Sequence, residues 1–377
     1  MIHIVADSNV YRADPRREKA AFKTLERLAQ TGHVTLHIPE IVRREFLSQE
    51  EALHETFVGA IHGTLRSISH RPLDAAMLAE AKKIADDNAD LFARLKAAAA
   101  KEFADWAASI SAVQHPLDPS HGSNMLDAYF DGAVPFTKKK NRDDIPDSFV
   151  WQAIQDLARD HNPLYVVSND GDINKPLEGK AGFVVFTSLE NLIASVPVQA
   201  LLQQQDVSAN LSKLLALLPT QVDFISTEIE SPLNDEIAWK TVGDYDSEPT
   251  INGVGDPENL EVVVEEAVDH GNGLAVVPFR LKVECQVEFA LSKSDYYRMD
   301  AEDEKSIGIS DLNDHYFLAE EERTVLVEGS LSIQVDATKL QAEAIEEEAL
   351  LGVLREGDFK IDSIEELKFQ AESPAAK

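Results

Sequence analysis

The chain has 377 residues, 44% of them hydrophobic, and a formal net charge of −32. That length predicts two domains rather than one, no run approaches the roughly 18 to 20 apolar residues that span a bilayer, and Asp7 lies where a signal peptide needs its apolar region, so a cytoplasmic protein without membrane contact is expected. The single Cys285 excludes an internal disulfide framework and a cysteine-based zinc site, and its alternating surroundings predict a buried core thiol.

Met1-Ile2-His3-Ile4-Val5-Ala6-Asp7-Ser8-Asn9-Val10 reads as a buried strand that delivers Asp7 to its C-terminal end, where open α/β sheets bind ligands. An aspartate there also suits a turn or a helix cap. Ala20, Ala21, Thr24, Leu25 and Leu28 have the spacing of an amphipathic helix over Arg16 to Gln30, stopped by Gly32. Val34 to Ile38 reads as a second strand. Pro39 then opens a helix on which Ile41, Val42, Glu45 and Phe46 share one side, so Glu45 needs a cation or an arginine partner.

Residues 54 to 140 read as a helical insertion. From Asp74 to about Val113 there is neither proline nor glycine, and apolar residues from Leu78 to Val113 recur every three or four positions, as in one or two long helices packed on a neighbour. Residues 115 to 137, with Pro116, Pro119, Gly122, Gly132 and Pro135, read as a loop. His115 and His121 lie in it without further His or Cys at ligand spacing, so no metal site is expected there.

Lys138, Lys139, Lys140 and Arg142 precede a helix that begins near Pro146, with Asp144 and Asp147 at its start. Cations beside carboxylates suit a phosphodiester substrate and its metal ions, although Asp147 also complements the helix dipole. Leu164 to Ser168 is the next strand and ends in Ser168-Asn169-Asp170-Gly171-Asp172, repeating the opening arrangement. A fourth strand over Gly182 to Phe186 and a helix from Ser188 complete an alternating pattern, which predicts a parallel-sheet α/β/α sandwich.

Residues 196 to 220 read as a connector. Beyond it the period changes to two: Phe279 to Leu291 and Val325 to Val335 alternate strictly, which marks antiparallel strands with one buried face. Asp269 to Gly273 reads as a hairpin turn, and helices are expected near Thr338 to Leu354 and Ser363 to Phe369, giving an α+β domain over 221 to 377. Residues 201 to 377 hold 39 Asp and Glu against 13 Lys and Arg, near −26, which leaves the first 200 residues near −6. A polyanionic surface repels nucleic acid, so this part reads as a solubilising surface or a docking face for a basic protein partner.

Asp7, Glu45, Asp147 and Asp170 fall at a strand end, on the helix after strand two, at a helix start and at a later strand end, positions that a parallel sheet brings together. Two carboxylates about 4 Å apart repel by roughly 4 kcal/mol at an effective dielectric of 20. A cluster without histidine or cysteine therefore suits Mg²⁺ or Mn²⁺.

These motifs resemble the PIN-domain nucleases over about residues 1 to 195. Val5 to Val10 matches the opening acid motif, Pro39 to Phe46 the second, Arg142-Asp143-Asp144-Ile145-Pro146-Asp147 the third and Ser168 to Asp172 the fourth, with Asp170 or Asp172 as the fourth acid. The basic third motif and the large insertion resemble a larger bacterial subgroup. The resemblance implies a metal-dependent endoribonuclease acting on single-stranded RNA, with a toxin or defence effector as one biological form. It further implies a two-metal mechanism, in which Asp7 bridges the ions, Glu45 and Asp147 complete one site, and Asp170 or Asp172 orients the second ion or the water. Ser8, Asn9 and Ser168 then hydrogen-bond to carboxylates or phosphate, Asn169 and Asp144 support the acids, and Lys138, Lys139, Lys140 and Arg142 grip the strand. The alternatives are a non-catalytic PIN-like scaffold and a DNA-directed nuclease.

Overall fold

The computed structural model describes residues 1–69, 71, 75–136, 138–142, 144–203, 208–242, 249–299, 307–341 and 345–370. The chain divides into two compact units, Met1–Ser195 and Val196–Lys377.

In the first unit, β1 (Ile2–Ala6), β2 (Val34–Pro39), β3 (Val113–His115), β4 (Leu164–Val167) and β5 (Phe183–Phe186) form one parallel sheet in the order β3-β2-β1-β4-β5. Ile4, Val5 and Ala6 of β1 and Leu164, Val166 and Val167 of β4 are buried irrespective of alternation, as expected of central strands covered on both faces. The chain leaves β1 to build β2 and β3 on one side, then returns to place β4 and β5 on the other. The direction of winding thus reverses between β1 and β4, and a crevice at the C-terminal ends of those two strands follows from the connectivity.

Eight helices are described in this unit: α1 (Ser8–Ala13), α2 (Ala20–Gln30), α3 (Glu40–Ser69), α4 (Ala75–Ser109), α5 (Pro119–Asp131), α6 (Ile145–Asp160), α7 (Gly171–Asn174) and α8 (Leu189–Ile193). The expected long insertion is the pair α3 and α4. Glu51 reaches Lys96 and the His54 ring meets Phe92, so rising numbers on α3 pair with falling numbers on α4 and the helices run antiparallel. Among the described residues only the sheet-proximal ends are buried, through Val42 and Phe46 on α3, Phe103, Trp106 and Ala107 on α4, and Ile110 just after it. There Tyr11 packs edge-on against Phe103 and Trp106, and the buried Arg17 guanidinium stands 4.9 Å from the Trp106 ring and pairs with Glu102. Each buried aromatic contributes about 1.5–3 kcal/mol by burial; this cluster fixes the insertion to the sheet.

Three local expectations are corrected. The segment 115–137 is not a loop throughout: Pro119–Asp131 is α5, started by the Asp118 side chain accepting from the Ser120 amide and stopped by Gly132 at φ 70°. Pro119 and Gly132 are helix start and stop signals, not breakers. Val113–His115, at the end of the supposed helix, is a fifth strand paired with β2. Helix α2 begins at Ala20, four residues after Arg16.

The second unit contains α9 (Val196–Gln203), α10 (Ser208–Leu215), α11 (Val222–Ile237), β6 (Thr250–Val262), β7 (Val268–Gly271), β8 (Leu274–Ser292), α12 (Lys293–Tyr296), β9 (Gly308–Asp311), β10 (Tyr316–Gln334), a helix over Glu347–Arg355 and β11 (Asp358–Phe369). Its antiparallel sheet has the order β11-β10-β8-β6, with β7 paired to β8 and β9 to β10. Residues Val277, Phe279, Leu281, Val283, Cys285 and Val287 of β8 are buried at every second position, as the alternation predicts. Against this face lie Ile225, Ile229, Leu233 and Ile237 of α11, one residue per turn, together with Leu211, Leu214, Leu215 and Leu218 from the segment read as a connector. Gly329 is required by close approach, because a Cβ there would run into the Ser363 carbonyl. The expected terminal helix over Ser363 to Phe369 is instead the strand β11, whose partner along this stretch is β10. A sheet edge able to pair decides its state over a short and ambiguous apolar pattern. The helix expected near Thr338 to Leu354 is a short 3-10 turn at Ala337–Leu340 and the helix Glu347–Arg355; positions 342–344 lie outside the described residues.

Candidate active site

Asp7 closes β1 and caps α1, and it is 7% exposed. Its Oδ1 accepts the Ser8 amide at 2.7 Å, and its Oδ2 accepts Asn9 Nδ2 at 2.7 Å and the Ser168 hydroxyl at 2.9 Å. Burial nevertheless raises its pKa to about 6, against the lowering by Ser168 and Ser8. Ser168 is the knot between the two central strands: its Oγ also accepts the Asp170 amide at 3.0 Å, and its carbonyl accepts Asn174 Nδ2. Asn9 adds a second tie, from its Nδ2 to Ser168 Oγ at 3.3 Å and from the Asn169 amide to its Oδ1 at 3.5 Å.

Glu45 lies in the second turn of α3. Burial raises its pKa, offset in part by the Ser8 side chain, by Arg12 and by Gln49, whose Nε2 donates to Oε1 at 3.3 Å. Its other oxygen, Oε2, is buried without a hydrogen-bond partner among the described residues. Asp147, in the first turn of α6, is raised to about 7 by burial and then by the charges of Asp170, Asp7, Glu45 and Asp144. Asp170 caps α7 by accepting the Asp172 amide at 2.7 Å.

The fold therefore brings Asp7, Glu45, Asp147 and Asp170 into mutual electrostatic range. Asp170 is the charge felt by Asp7, Glu45 and Asp147 alike, whereas Asp172 supplies its backbone amide to Asp170. Asp144 is buried at the N-cap position of α6, accepts from Asn141 Nδ2 and adds to the field on Asp147. Asn169 is exposed. Lys138, Lys139, Lys140 and Arg142 are exposed in the segment that enters α6, and among the described residues they form no ion pair; Asp143 of the same motif lies outside those residues. The Lys140 amide donates to the Tyr129 carbonyl at 2.9 Å and its Nζ stands 5.7 Å from the Phe130 ring, which ties the basic segment to α5.

Sequence reasoning missed Arg12, Gln49 and Asn174. Two were within reach of helical spacing, since Arg12 follows Ser8 and Gln49 follows Glu45 by four residues.

The residues present fit a hard divalent cation. Their side-chain donors are carboxylate oxygens, neighbouring acids push up the pKa of Asp7, Glu45 and Asp147, and Glu45 Oε2 lacks a hydrogen-bond partner among the described residues. Asp147 lies in the first turn of α6, so the N-terminus of that helix is at the cluster as well.

Residues 4–173 match the family model of the PIN domain, a span that takes in all four acids. No curated protein and no solved structure matches the chain. The N-terminal unit carries a PIN domain in sequence and in fold, and PIN domains are generally nucleases that bind nucleic acid and typically use divalent metals. The acidic second unit lies outside the matched residues.

Proposed function

We propose that the N-terminal unit is a Mg²⁺- or Mn²⁺-dependent endoribonuclease that hydrolyses phosphodiester bonds in single-stranded RNA. The reading is carried by one observation: four carboxylates from separated segments meet at the reversal point of a PIN sheet, where the charges of Asp170, Asp7 and Glu45 all bear on Asp147. Ions held there would supply nucleophile activation and charge neutralisation at the attacking and leaving oxygens.

In this reading Asp7 is the central ligand. The Ser8 amide, Asn9 and Ser168 fix both of its oxygens, so its orientation is set before any ion arrives. Glu45 and Asp147 flank it, and Asp170 completes the set, with Asp172 holding Asp170 through its amide. Lys138, Lys139, Lys140 and Arg142 bind substrate phosphates without competition from ion pairs among the described residues. RNA is the substrate that the family resemblance implies.

The test compares Asp7→Asn and Asp147→Asn with the parent chain on single-stranded RNA and DNA oligonucleotides in Mg²⁺ and in Mn²⁺, with circular dichroism to verify folding. Loss of RNA cleavage by both folded variants is expected. Undiminished cleavage by both would sink the metal assignment, and cleavage of DNA alone would overturn the choice of RNA.

A further inference from the structure

We propose that His3, His37 and His161 form a second metal site, for Zn²⁺ or a similar imidazole-preferring ion, apart from the carboxylate centre. Their ligand nitrogens all lie within 4.8 Å of one another. Parallel pairing sets Val5 opposite His37 and His37 opposite Val113, so His3, His37 and His115 project from the same face of β1, β2 and β3. His161 joins them as the residue that ends α6, its ring stacked on His3 at 4.0 Å and 4.5 Å from His37.

The nitrogen geometry suits an ion. His3 Nδ1 faces His37 Nε2 at 3.0 Å, close to the roughly 3.3 Å between two nitrogens that share a tetrahedral Zn²⁺ at about 2.0–2.1 Å. On the far side, His37 Nδ1 stands 2.8 Å from His115 Nε2, and Asp160 adds a negative charge near His115. A metal-bound imidazole ordinarily donates its other N–H to such an acceptor. If His37 Nδ1–H donates to His115, its Nε2 is left free as a ligand. Binding then requires that the His3 proton sit on Nε2 rather than Nδ1, and that the three ligand nitrogens, grouped within 4.8 Å, close towards the separation that a shared Zn²⁺ sets. Three imidazoles of neutral type, with a fourth position open to water, are a donor set that Zn²⁺, Co²⁺ and Ni²⁺ prefer to Mg²⁺. Burial and the neighbouring rings hold His37 neutral, with its pKa lowered to about 3.

Sequence spacing gave no such expectation, because the ligands at 3, 37 and 161 come from separate segments and meet only through the parallel register. Helix α6 joins the two centres: Asp147 is in its first turn and His161 caps its end, about 21 Å apart along the axis at 1.5 Å per residue. The site does not depend on the nuclease reading.

The full-length chain is loaded with Zn²⁺ alone, freed of excess by gel filtration and assayed for bound metal; Co²⁺ substitution gives an optical readout of coordination. One retained Zn²⁺ per chain is expected in the parent and in Asp7→Asn, with retention lost in His3→Ala and in His161→Ala. His115→Ala keeps all three ligands and should weaken binding about 10–100-fold. His37 is buried, and its removal can disturb the sheet, so the two half-buried histidines carry the test and circular dichroism checks each variant. Failure of the parent chain to retain Zn²⁺ overturns the site, and so does retention that His3→Ala and His161→Ala leave intact. Retention lost only in Asp7→Asn assigns the ion to the carboxylates and overturns it equally. A negative outcome leaves RNA cleavage in Mg²⁺ untouched, so the two readings fail separately.

Discussion

Two groups of titratable side chains occupy the first unit, and burial acts on them in opposite directions. At the C-terminal ends of β1 and β4, desolvation and like charge raise Asp7 to about 6 and Asp147 to about 7. On one face of β1, β2 and β3, desolvation and neighbouring rings lower His37 to about 3, and His3 and His115 are lowered too. Both groups are driven towards neutrality, but the acids reach it by keeping protons and the histidines by releasing them. A cation would therefore displace protons from the acids, whereas among the neutral imidazoles a proton has only to change nitrogen on His3. The difference teaches that clustering alone does not define a metal site; donor chemistry and proton occupancy decide which ion enters and at what pH.

The comparison breaks most sharply at Glu45. Replacement by Gln removes one acid and leaves the histidines alone, so RNA cleavage should fall about 10²–10³-fold. Urea unfolding of the metal-free variant should show no loss of stability, because one repelling charge has gone. A large drop in the unfolding midpoint would mean that Glu45 is structural.

Next in size is the response to Mn²⁺. At a hundred times its Kd, a cation that binds only the folded state stabilises by about 2.7 kcal/mol. Calorimetry should show this in the parent and in His161→Ala, and not in Asp147→Asn.

A smaller effect concerns pH in the metal-free protein, where the signs oppose. The folded pKa values of Asp7 and Asp147 lie above the ordinary aspartate value of 3.8, so their stabilisation is complete below about pH 4 and is lost as pH rises through 6 to 7. His37 lies below the ordinary histidine value of 6.5, so its stabilisation is present above that value and is lost as pH falls towards 3. Urea midpoints measured from pH 4 to 8 should therefore gain a more positive slope with pH in Asp147→Asn than in the parent. An unchanged slope would show that Asp147 titrates normally.

The smallest change is expected at the basic segment. Lys139→Gln should weaken RNA binding modestly and lower the slope of log affinity against log salt by about 0.7, the share of one phosphate contact on a single strand. No change in slope would place Lys139 off the substrate path.

Much of the first unit was legible in the sequence because its signals are local. The apolar run before Asp7, its echo before Ser168, and the 3-to-4 spacing along the insertion each declare an element, and the four acid motifs fall at element ends. What was lost depended on partners. Val113–His115 is too short to declare itself and becomes a strand because β2 offers an edge. The segment Ser363 to Phe369 carries no decisive period and is a strand because β10 runs long enough to pair it. Pro119 and Gly132 were misread because the same residues start and stop helices as well as break them. The histidine group was invisible for the same reason as β3: it exists only in the register.

The hydroxyl of Ser168 reaches Asp7 across 161 positions of chain. During synthesis the opening aspartate is made first, yet its clasp, Asp147 and Asp170 all follow more than a hundred residues later. No N-terminal fragment that stops short of β4 can assemble the centre. The order of synthesis thus sets the order of assembly: a chain that stops short of β4 holds three of the four acids, Asp7, Glu45 and Asp147, and lacks both Asp170 and the hydroxyl that orients Asp7.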